Sequence, residues 1–375
     1  MKINTLQFSH ILGATNLCDL TPFFERTAFV ISHKSESVAT LLGVIWYLPV
    51  NSPVLIVTNC ALDAMTDLER ELVSRLEPTR QVYLIHQKDE RIARFFAERA
   101  VTSILGADGY VVNGKGEGMY IGALMTALLG QPEWLVFYDA DNFVPSALLE
   151  YTLAMGRMFM QQRVQTAALF GREVPRLHNV RICWPAKPSL DGSICLAGEL
   201  GRCTRAISPL VTTLVREWFG VEDQVIISPN AGEQGFTVDT LRQLQFSSGY
   251  SIETFQMLHL FSLARSLMQQ GYHDHVLLYQ YQAHSPHFHA KGDDKHIKQM
   301  IADSLGCFAY FEHDLPVSVK KQVQQTYDEL ELEFRLPRLY PTINELMRGD
   351  VSLSIYDYAL FTESSGLIER EELCS

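Results

Sequence analysis

The sequence lacks the features that would set it apart from ordinary globular enzymes. It contains no CxxC pair, and its seven cysteines, Cys18, Cys60, Cys183, Cys195, Cys203, Cys307 and Cys374, are scattered along 375 residues. That excludes a disulfide scaffold, and the odd number leaves at least one thiol unpaired, which fits a reducing cytoplasm best. Long apolar runs are missing too. The longest, Ala39–Val50 and Tyr120–Gly130, are too short to cross a bilayer. The opening MKINTLQFSHILGATN has no apolar core leading to a small-residue cleavage site, so no signal peptide is expected. Positive charge is scarce: 31 basic against 43 acidic residues give −12, which argues against nucleic acid or a membrane as partner. Repeats, low-complexity tracts and the GxxxxGK[ST] phosphate loop are also absent.

What remains is a chain that is 47% hydrophobic and 20% charged, enough to bury a large core. Short β-rich runs alternate with helical patterns, which predicts an α/β fold, Rossmann-like, with a mainly parallel sheet and helices on both faces. Strands are expected at Ala28–Ser32, Val54–Asn59, Val82–His86, Trp134–Asp139, Thr166–Arg172, Arg181–Trp184 and Val276–Gln282. Helices are expected at Val38–Tyr47, Ala61–Glu77, Glu90–Ile104, Glu117–Leu129, Ser146–Met160, Ile207–Phe219, Tyr250–Gln270, Ile297–Phe311 and Val317–Phe334. A boundary near residue 270 divides a catalytic domain, 1–270, from 271–375, a His-containing segment with a mainly helical C-terminal extension packed back on the first unit.

The stretch Trp134-Leu-Val-Phe-Tyr-Asp-Ala-Asp-Asn142 ends an apolar strand in two carboxylates. Ligands of open α/β sheets gather at such strand ends, and Asp139 and Asp141, flanking Ala140, offer hard oxygen ligands for a divalent cation that would neutralise a diphosphate. A plain Asp/Asn turn into the next helix is the bland explanation. Asn113-Gly-Lys-Gly-Glu-Gly-Met119 enters a helix with Lys115, Gly116 and Glu117, where flexible backbone and a lysine can meet a phosphate or a sugar hydroxyl. A polar turn would look much the same. At neighbouring strand ends His33, Lys34, Glu36 and Asn59 can frame a base and ribose, with Glu36 accepting from base nitrogens. Helix capping by Ser35 or Ser37 is the simpler reading there.

Six of twelve histidines fall between His273 and His296, and alternation after the strand Val276–Gln282 puts His287 and His289 of Ser285-Pro-His-Phe-His289 on one face as metal-ligand candidates. Gly201-Arg-Cys-Thr-Arg205 stands before a helix, so Gly201, Arg202 and Thr204 can hold a phosphate or carboxylate. Asn230-Ala-Gly-Glu233 and Ser248-Gly-Tyr-Ser-Ile-Glu253 pair glycine with a carboxylate, and Glu233 or Glu253 can bind sugar hydroxyls. Turns and a helix-dipole acid are the structural alternatives.

Taken in order, ISHKSE, GKGEGM, YDADN, NAGE, GYSIE and PHFH resemble the mannosyl-3-phosphoglycerate synthases, retaining nucleotide-sugar transferases with the GT-A fold. The resemblance implies mannosyl transfer from GDP-mannose to 3-phosphoglycerate with Mg²⁺, or Mn²⁺ or Co²⁺, as cofactor. It also implies metal ligation by Asp141 and one histidine of PHFH, with Asp139 on ribose or metal. Lys115, Gly116, Glu117 and Ala140 would join His33, Lys34, Glu36 and Asn59 on the donor, and Glu253 would hold the transferred sugar. On the acceptor it implies Gly201, Arg202 and Thr204, with Asn230, Gly232 and Glu233. Ala290 and Arg205 replace the acids expected after the second histidine and after GRxT. For the reaction itself, a dissociative course and a double displacement through Glu253 or Glu233 both stand. Rival functions are glucosyl-3-phosphoglycerate synthesis, a sugar-nucleotide pyrophosphorylase lacking its usual phosphate loop, and a non-catalytic binding module. A homodimer is the assembly left open.

Overall fold

A computed structural model describes residues 1–7, 17–142, 144–170, 177–184, 201–273, 275–285 and 294–361. Its strands are β1 (Lys2–Gln7), β2 (Thr27–His33), β3 (Val54–Thr58), β4 (Val82–His86), β5 (Trp134–Asp139), β6 (Leu177–Cys183), β7 (Gln234–Thr237), β8 (Phe246–Ser247), β9 (Val276–Gln282) and β10 (Leu339–Tyr340). Its helices are α1 (Thr21–Glu25), α2 (Val38–Trp46), α3 (Met65–Arg75), α4 (Glu90–Glu98), α5 (Lys115–Leu129) and α6 (Pro145–Phe170), followed by α7 (Arg202–Phe219), α8 (Val238–Gln243), α9 (Ile252–Gln269), α10 (Asp294–Gly306), α11 (Val317–Leu330) and α12 (Ile343–Leu346).

Eight strands form one sheet in the order β1-β9-β6-β7-β5-β2-β3-β4, and β8 and β10 form a separate small ribbon. All neighbours in the large sheet are parallel except β7, which runs antiparallel to both β5 and β6. Strands this apolar belong in a sheet covered on both faces. In β2, Ala28 and Val30 face α4 and α5, whereas Phe29 and Ile31 face α2, α3 and α6. A third cluster packs α7, α9, α10 and α11 against Ile3 of β1 and Leu278 of β9. Each large side chain fully buried in this way contributes about 1.5 to 3 kcal/mol.

Four expectations need correction. The proposed strand Thr166–Arg172 is helical as far as Phe170, because α6 continues through the helix-favouring Ala167-Ala168-Leu169. The proposed helix Glu90–Ile104 stops at Glu98, and Ala100 takes a left-handed turn (φ 58°) into a short 3-10 segment, Thr102–Ile104. Arg202 does not precede its helix: it is the first residue of α7, with Gly201 as the cap. The division at residue 270 falls inside the sheet, since β9 lies between β1 and β6.

Candidate active site

The carboxyl edge of the sheet assembles the site. Register pairs Ser32 with Asp139, His33 with Thr58 and Thr58 with His86, so the ends of β2, β3, β4 and β5 lie level. Antiparallel β7 then delivers its N-terminal end to the same edge, with Gln234 opposite Phe137, and this brings Asn230–Glu233 beside Asp139. The contact is tight. A Cβ on Gly232 would collide with the Asp139 carboxylate and lie 2.7 Å from Lys115 Nζ, so only glycine leaves that pair undisturbed.

Lys115, in the first turn of α5, donates to Asp139 Oδ2 at 2.8 Å and pairs with Glu253 Oε1 at 2.8 Å. Its side chain is 16% exposed and that of Glu253 4%. Burial opposes the ammonium charge, but Asp139 and Glu253 outweigh it and hold the lysine well above its ordinary pKa. Two of its three N–H groups are thus spent on carboxylates, leaving the third for a ligand. Tyr250 flanks the cluster. Burial pushes its hydroxyl up, with the Lys115 charge opposing, so it remains a donor at neutral pH.

Asp141 lies partly buried just beyond β5, after Ala140, whose N–H donates to the Ser32 carbonyl at 3.1 Å. Among the described residues no three His, Cys, Asp or Glu side chains gather as a metal cluster. His287 and His289 lie outside the described residues. The donors that are present, the carboxylates of Asp139 and Asp141, are the hard oxygens that Mg²⁺ or Mn²⁺ takes, and they fit such an ion better than a soft metal.

The remaining expected groups divide clearly. Glu36 is partly buried, and its Oε2 accepts from the N–H groups of Lys34 (2.7 Å) and Ser35 (3.1 Å), which orients the carboxylate at the strand-end loop. Asn59 is tied there through its N–H to the His33 carbonyl at 2.8 Å. His33 itself is buried, with Nδ1 on Thr58 Oγ1 and Nε2 on the Glu36 carbonyl, so its ring shapes the loop instead of facing a donor. Glu117 is corrected more sharply: its carboxylate is committed to the Gly249 N–H and the Tyr340 hydroxyl and is not presented to a donor. Gly116 packs directly on the Ser247 carbonyl.

Of the residues expected on the acceptor, Arg202 Nη1 meets Asp294 Oδ1 at 2.6 Å, at the start of α10. Two residues on, the His296 ring stands edge-on to Tyr250 with centroids 4.9 Å apart, so α10 links Arg202 to the lysine cluster. Thr204 lies in the same first turn as Arg202. Asn230 is spent internally, donating to Thr254 Oγ1 and Ser304 Oγ at 2.9 Å each. Glu233 is fully buried below the surface of the site, near the Tyr138 and Tyr151 hydroxyls, which burial pushes up and its charge raises further.

The sequence matches the family described as mannosyl-3-phosphoglycerate synthase over residues 9–351. The chain belongs to the mannosyl-3-phosphoglycerate synthase family. Members of that family are glycosyltransferases. The curated synthase of Aeropyrum pernix is 29% identical over 290 residues, 75% of this chain and 71% of that protein. That of Pyrococcus furiosus is 27% identical over 293 residues, 75% of this chain and 70% of the relative. Among solved structures, mannosyl-3-phosphoglycerate synthase from Rubrobacter xylanophilus aligns with TM-score 0.48 and 14% identity, over 92% of this chain and 96% of that one. Glucosyl-3-phosphoglycerate synthase from Mycobacterium tuberculosis, in complex with Mn²⁺, UDP and phosphoglyceric acid, aligns with TM-score 0.47 and 15% identity, over 81% and 85%.

Three residues of this synthase-family site escaped the sequence reading. Tyr250 stood inside GYSIE and could have been found by asking which aromatic accompanies the acid. Arg181 on β6 is fully buried and donates to the Ser228, Pro229 and Glu253 carbonyls and to Gln234, thereby shaping the loop that carries Gly232. Burial lowers its pKa to about 10, which still leaves it charged at neutral pH. Glu150 on α6 accepts from Tyr281 Oη and from the N–H groups of His284 and Ser285, all at 2.7 Å, and so clamps the exit of β9. Nothing local in the sequence marks it.

Proposed function

We propose that this chain transfers the mannosyl group of GDP-mannose to 3-phosphoglycerate with retention of the α configuration. Family membership supports the reading, and so do the relatives from Aeropyrum pernix and Pyrococcus furiosus, both mannosyl-3-phosphoglycerate synthases. The observation that carries it is the Lys115–Asp139–Glu253 cluster at the carboxyl edge of the sheet, with Arg202 at a helix N-terminus linked to it through α10. A sugar nucleotide and a phosphorylated acceptor each need a cationic contact in an otherwise acidic chain, and these are two such contacts on one edge.

A divalent cation, when bound by Asp141 and Asp139, supplies charge neutralisation for the diphosphate leaving group. The Mn²⁺ of the Mycobacterium tuberculosis glucosyl-3-phosphoglycerate synthase complex is consistent with such an ion. The chain's own groups do the rest. Lys115 offers its remaining N–H to the departing diphosphate, and its position is set by two carboxylates before any ligand arrives. Arg202 and Thr204 orient the acceptor through its phosphate, so that its hydroxyl approaches on the face the diphosphate leaves. Glu253 is held against Lys115 and is nearly inaccessible, which favours a dissociative course over attack by that carboxylate. In that course the leaving diphosphate accepts the acceptor proton.

Product analysis across GDP-mannose, GDP-glucose and UDP-glucose, each with 3-phosphoglycerate and with glycerate, tests the assignment. Turnover is expected with GDP-mannose and 3-phosphoglycerate in the presence of a divalent cation. Preference for a glucosyl donor would reassign the enzyme to glucosyl-3-phosphoglycerate synthesis, and nucleotide binding without turnover would make it a binding module.

A further inference from the structure

The C-terminal extension carries no recognisable motif, yet one arm of it, 335–341, lies against α5, which bears Lys115, and against β8, which leads into the start of α9 and Glu253. β10 pairs antiparallel with β8, Leu339 opposite Ser247 and Tyr340 opposite Phe246. The Ser248 N–H donates to the Arg338 carbonyl at 2.9 Å, and the Arg338 N–H returns a bond to Ser248 Oγ at 3.0 Å. The Tyr340 ring stacks on Tyr120 of α5, with centroids 5.5 Å apart, and Tyr120 Oη donates to the Pro341 carbonyl at 2.6 Å.

At the centre of this junction is Glu117, 1% exposed. Its Oε1 accepts from Tyr340 Oη at 2.6 Å, with Arg338 Nη2 3.5 Å away, and its Oε2 accepts from the Gly249 N–H at 3.0 Å. Glu117 is two residues from Lys115, and Gly249 is four residues before Glu253. One carboxylate therefore ties together the two backbones whose side chains make the 2.8 Å lysine–glutamate pair. We propose that Tyr340, acting through Glu117, is a positioning residue that holds Lys115 and Glu253 at the separation sugar transfer requires. The proposal rests on the reading that these two groups serve transfer.

If the junction needed only cohesion, apolar packing would serve, because burying a carboxylate carries a desolvation cost that hydrogen bonds must offset. What charge-assisted bonds add is direction, since they weaken quickly with distance and angle. Burial, with the Glu117 charge beside it, pushes the Tyr340 hydroxyl well up, so it stays a donor. On the outer side a cavity of about 410 Å³, lined by Asn113, Glu117, Gly249, Asp303, Arg335 and Arg338, adjoins the tie. On that flank Arg338, its side chain 46% exposed, can pair with the carboxylate, but an exposed ion pair lacks the fixed direction of the phenol bond.

Tyr340→Phe removes the hydroxyl and keeps the stacked ring. Tyr120→Phe is its control, since it deletes one buried hydroxyl bond from the same stack without touching Glu117. Two readouts are compared in the full-length protein: steady-state kinetics, and acetylation of Lys115 by an N-hydroxysuccinimide ester followed by mass spectrometry, normalised to the exposed Lys320 and Lys321. For Tyr340→Phe, kcat should fall about tenfold while both KM values stay within about twofold, and Lys115 acetylation should rise several-fold. Tyr120→Phe should do neither. If the two variants behave alike in both readouts, the arm is only structural and the proposal is wrong. Should the unaltered protein transfer no sugar, the acetylation comparison still decides the tie, and the reading of function alone has failed. Should Tyr340→Phe not fold, Glu117→Gln, which keeps the shape but loses the charge, is put to the same comparison and expected to shift in the same direction.

Discussion

The two cationic contacts of the site differ in how they are held. Lys115 is locked between Asp139 and Glu253 below the surface, whereas the Arg202 side chain is 41% exposed and faces an Asp294 that is 94% exposed. A buried cluster keeps its geometry whether or not ligand is present, and losing one member leaves uncompensated charge in a poor solvent. An exposed pair contributes about 0 to 1 kcal/mol, so an incoming phosphate can displace Asp294 from Arg202 at little cost. On the function proposed above, one contact suits stabilising a leaving group in a fixed place and the other exchange with a ligand.

The sharpest way to break this comparison is at Lys115. Lys115→Met should abolish measurable transfer and lower stability by about 3 to 5 kcal/mol, read by denaturant unfolding, because Asp139 and Glu253 are left facing each other. A variant as stable as the parent would mean the cluster is not the buried unit described. Asp141→Ala should match the loss of turnover, several orders of magnitude, but with an unfolding midpoint close to the parent, and chelation should do the same to the unaltered enzyme. Full activity in chelator would remove the metal from the reading.

Next in size is Gly232→Ala. The added methyl must push Lys115 or Asp139 aside, and kcat should drop by about ten- to a hundredfold with a stability cost of about 1 to 3 kcal/mol. Kinetics that match the parent would show that the pair has slack. At the exposed contact, Arg202→Ala should raise the acceptor KM by roughly one to two orders of magnitude and leave the donor KM alone, corresponding to a charge-assisted bond of about 1.5 to 3 kcal/mol. Asp294→Asn should act in the opposite direction, lowering the acceptor KM about two- to fivefold by removing a competitor. An increase instead would make Asp294 part of the acceptor site.

A separate effect is expected on pH, at a histidine outside both contacts. His259 on α9 is pulled down to about 4 by burial, and its Nδ1 accepts from the Gln245 N–H at 3.1 Å. The folded protein therefore holds the neutral ring while the unfolded chain takes up a proton near pH 6.5. The stability this provides is complete above about pH 6.5 and is lost progressively as pH falls towards 4, by up to about 3 kcal/mol. Unfolding curves between pH 7 and 4 should show that loss, and His259→Gln should flatten it.

The parts of the site that could be read from the chain were those written in consecutive residues. YDADN closes an apolar strand, and its position at the carboxyl edge followed from the general behaviour of α/β sheets; β5 ends at Asp139 as expected. GRCT was placed before a helix expected from Ile207, whereas α7 begins five residues earlier, at Arg202. Strands β1, β7, β8 and β10 were not seen. β7 has four residues and contains Gln234 and Gly235, and β8 and β10 have two residues each, too short for alternation to register. Missing β7 hid the reason NAGE meets DAD, and missing the small ribbon hid the role of Tyr340 and Glu117.

By itself the sequence determined the class of fold, the acidic surface that leaves anion binding to a few local cations, and the ordered motifs that mark the family, because each of these depends on composition or on neighbours along the chain. Only the tertiary structure decided which carboxylates belong to Lys115, that Glu117 faces the C-terminal arm and not a donor, and that Arg181 and Asn230 are internal supports. Those outcomes depend on an antiparallel strand inserted into a parallel sheet and on an arm that pairs with β8 and brings Tyr340 to Glu117, more than two hundred residues before it. A charged side chain looks the same in sequence whether it meets a ligand or a buried partner, and its partner is chosen by which backbones the packing of apolar faces brings within about 3 Å.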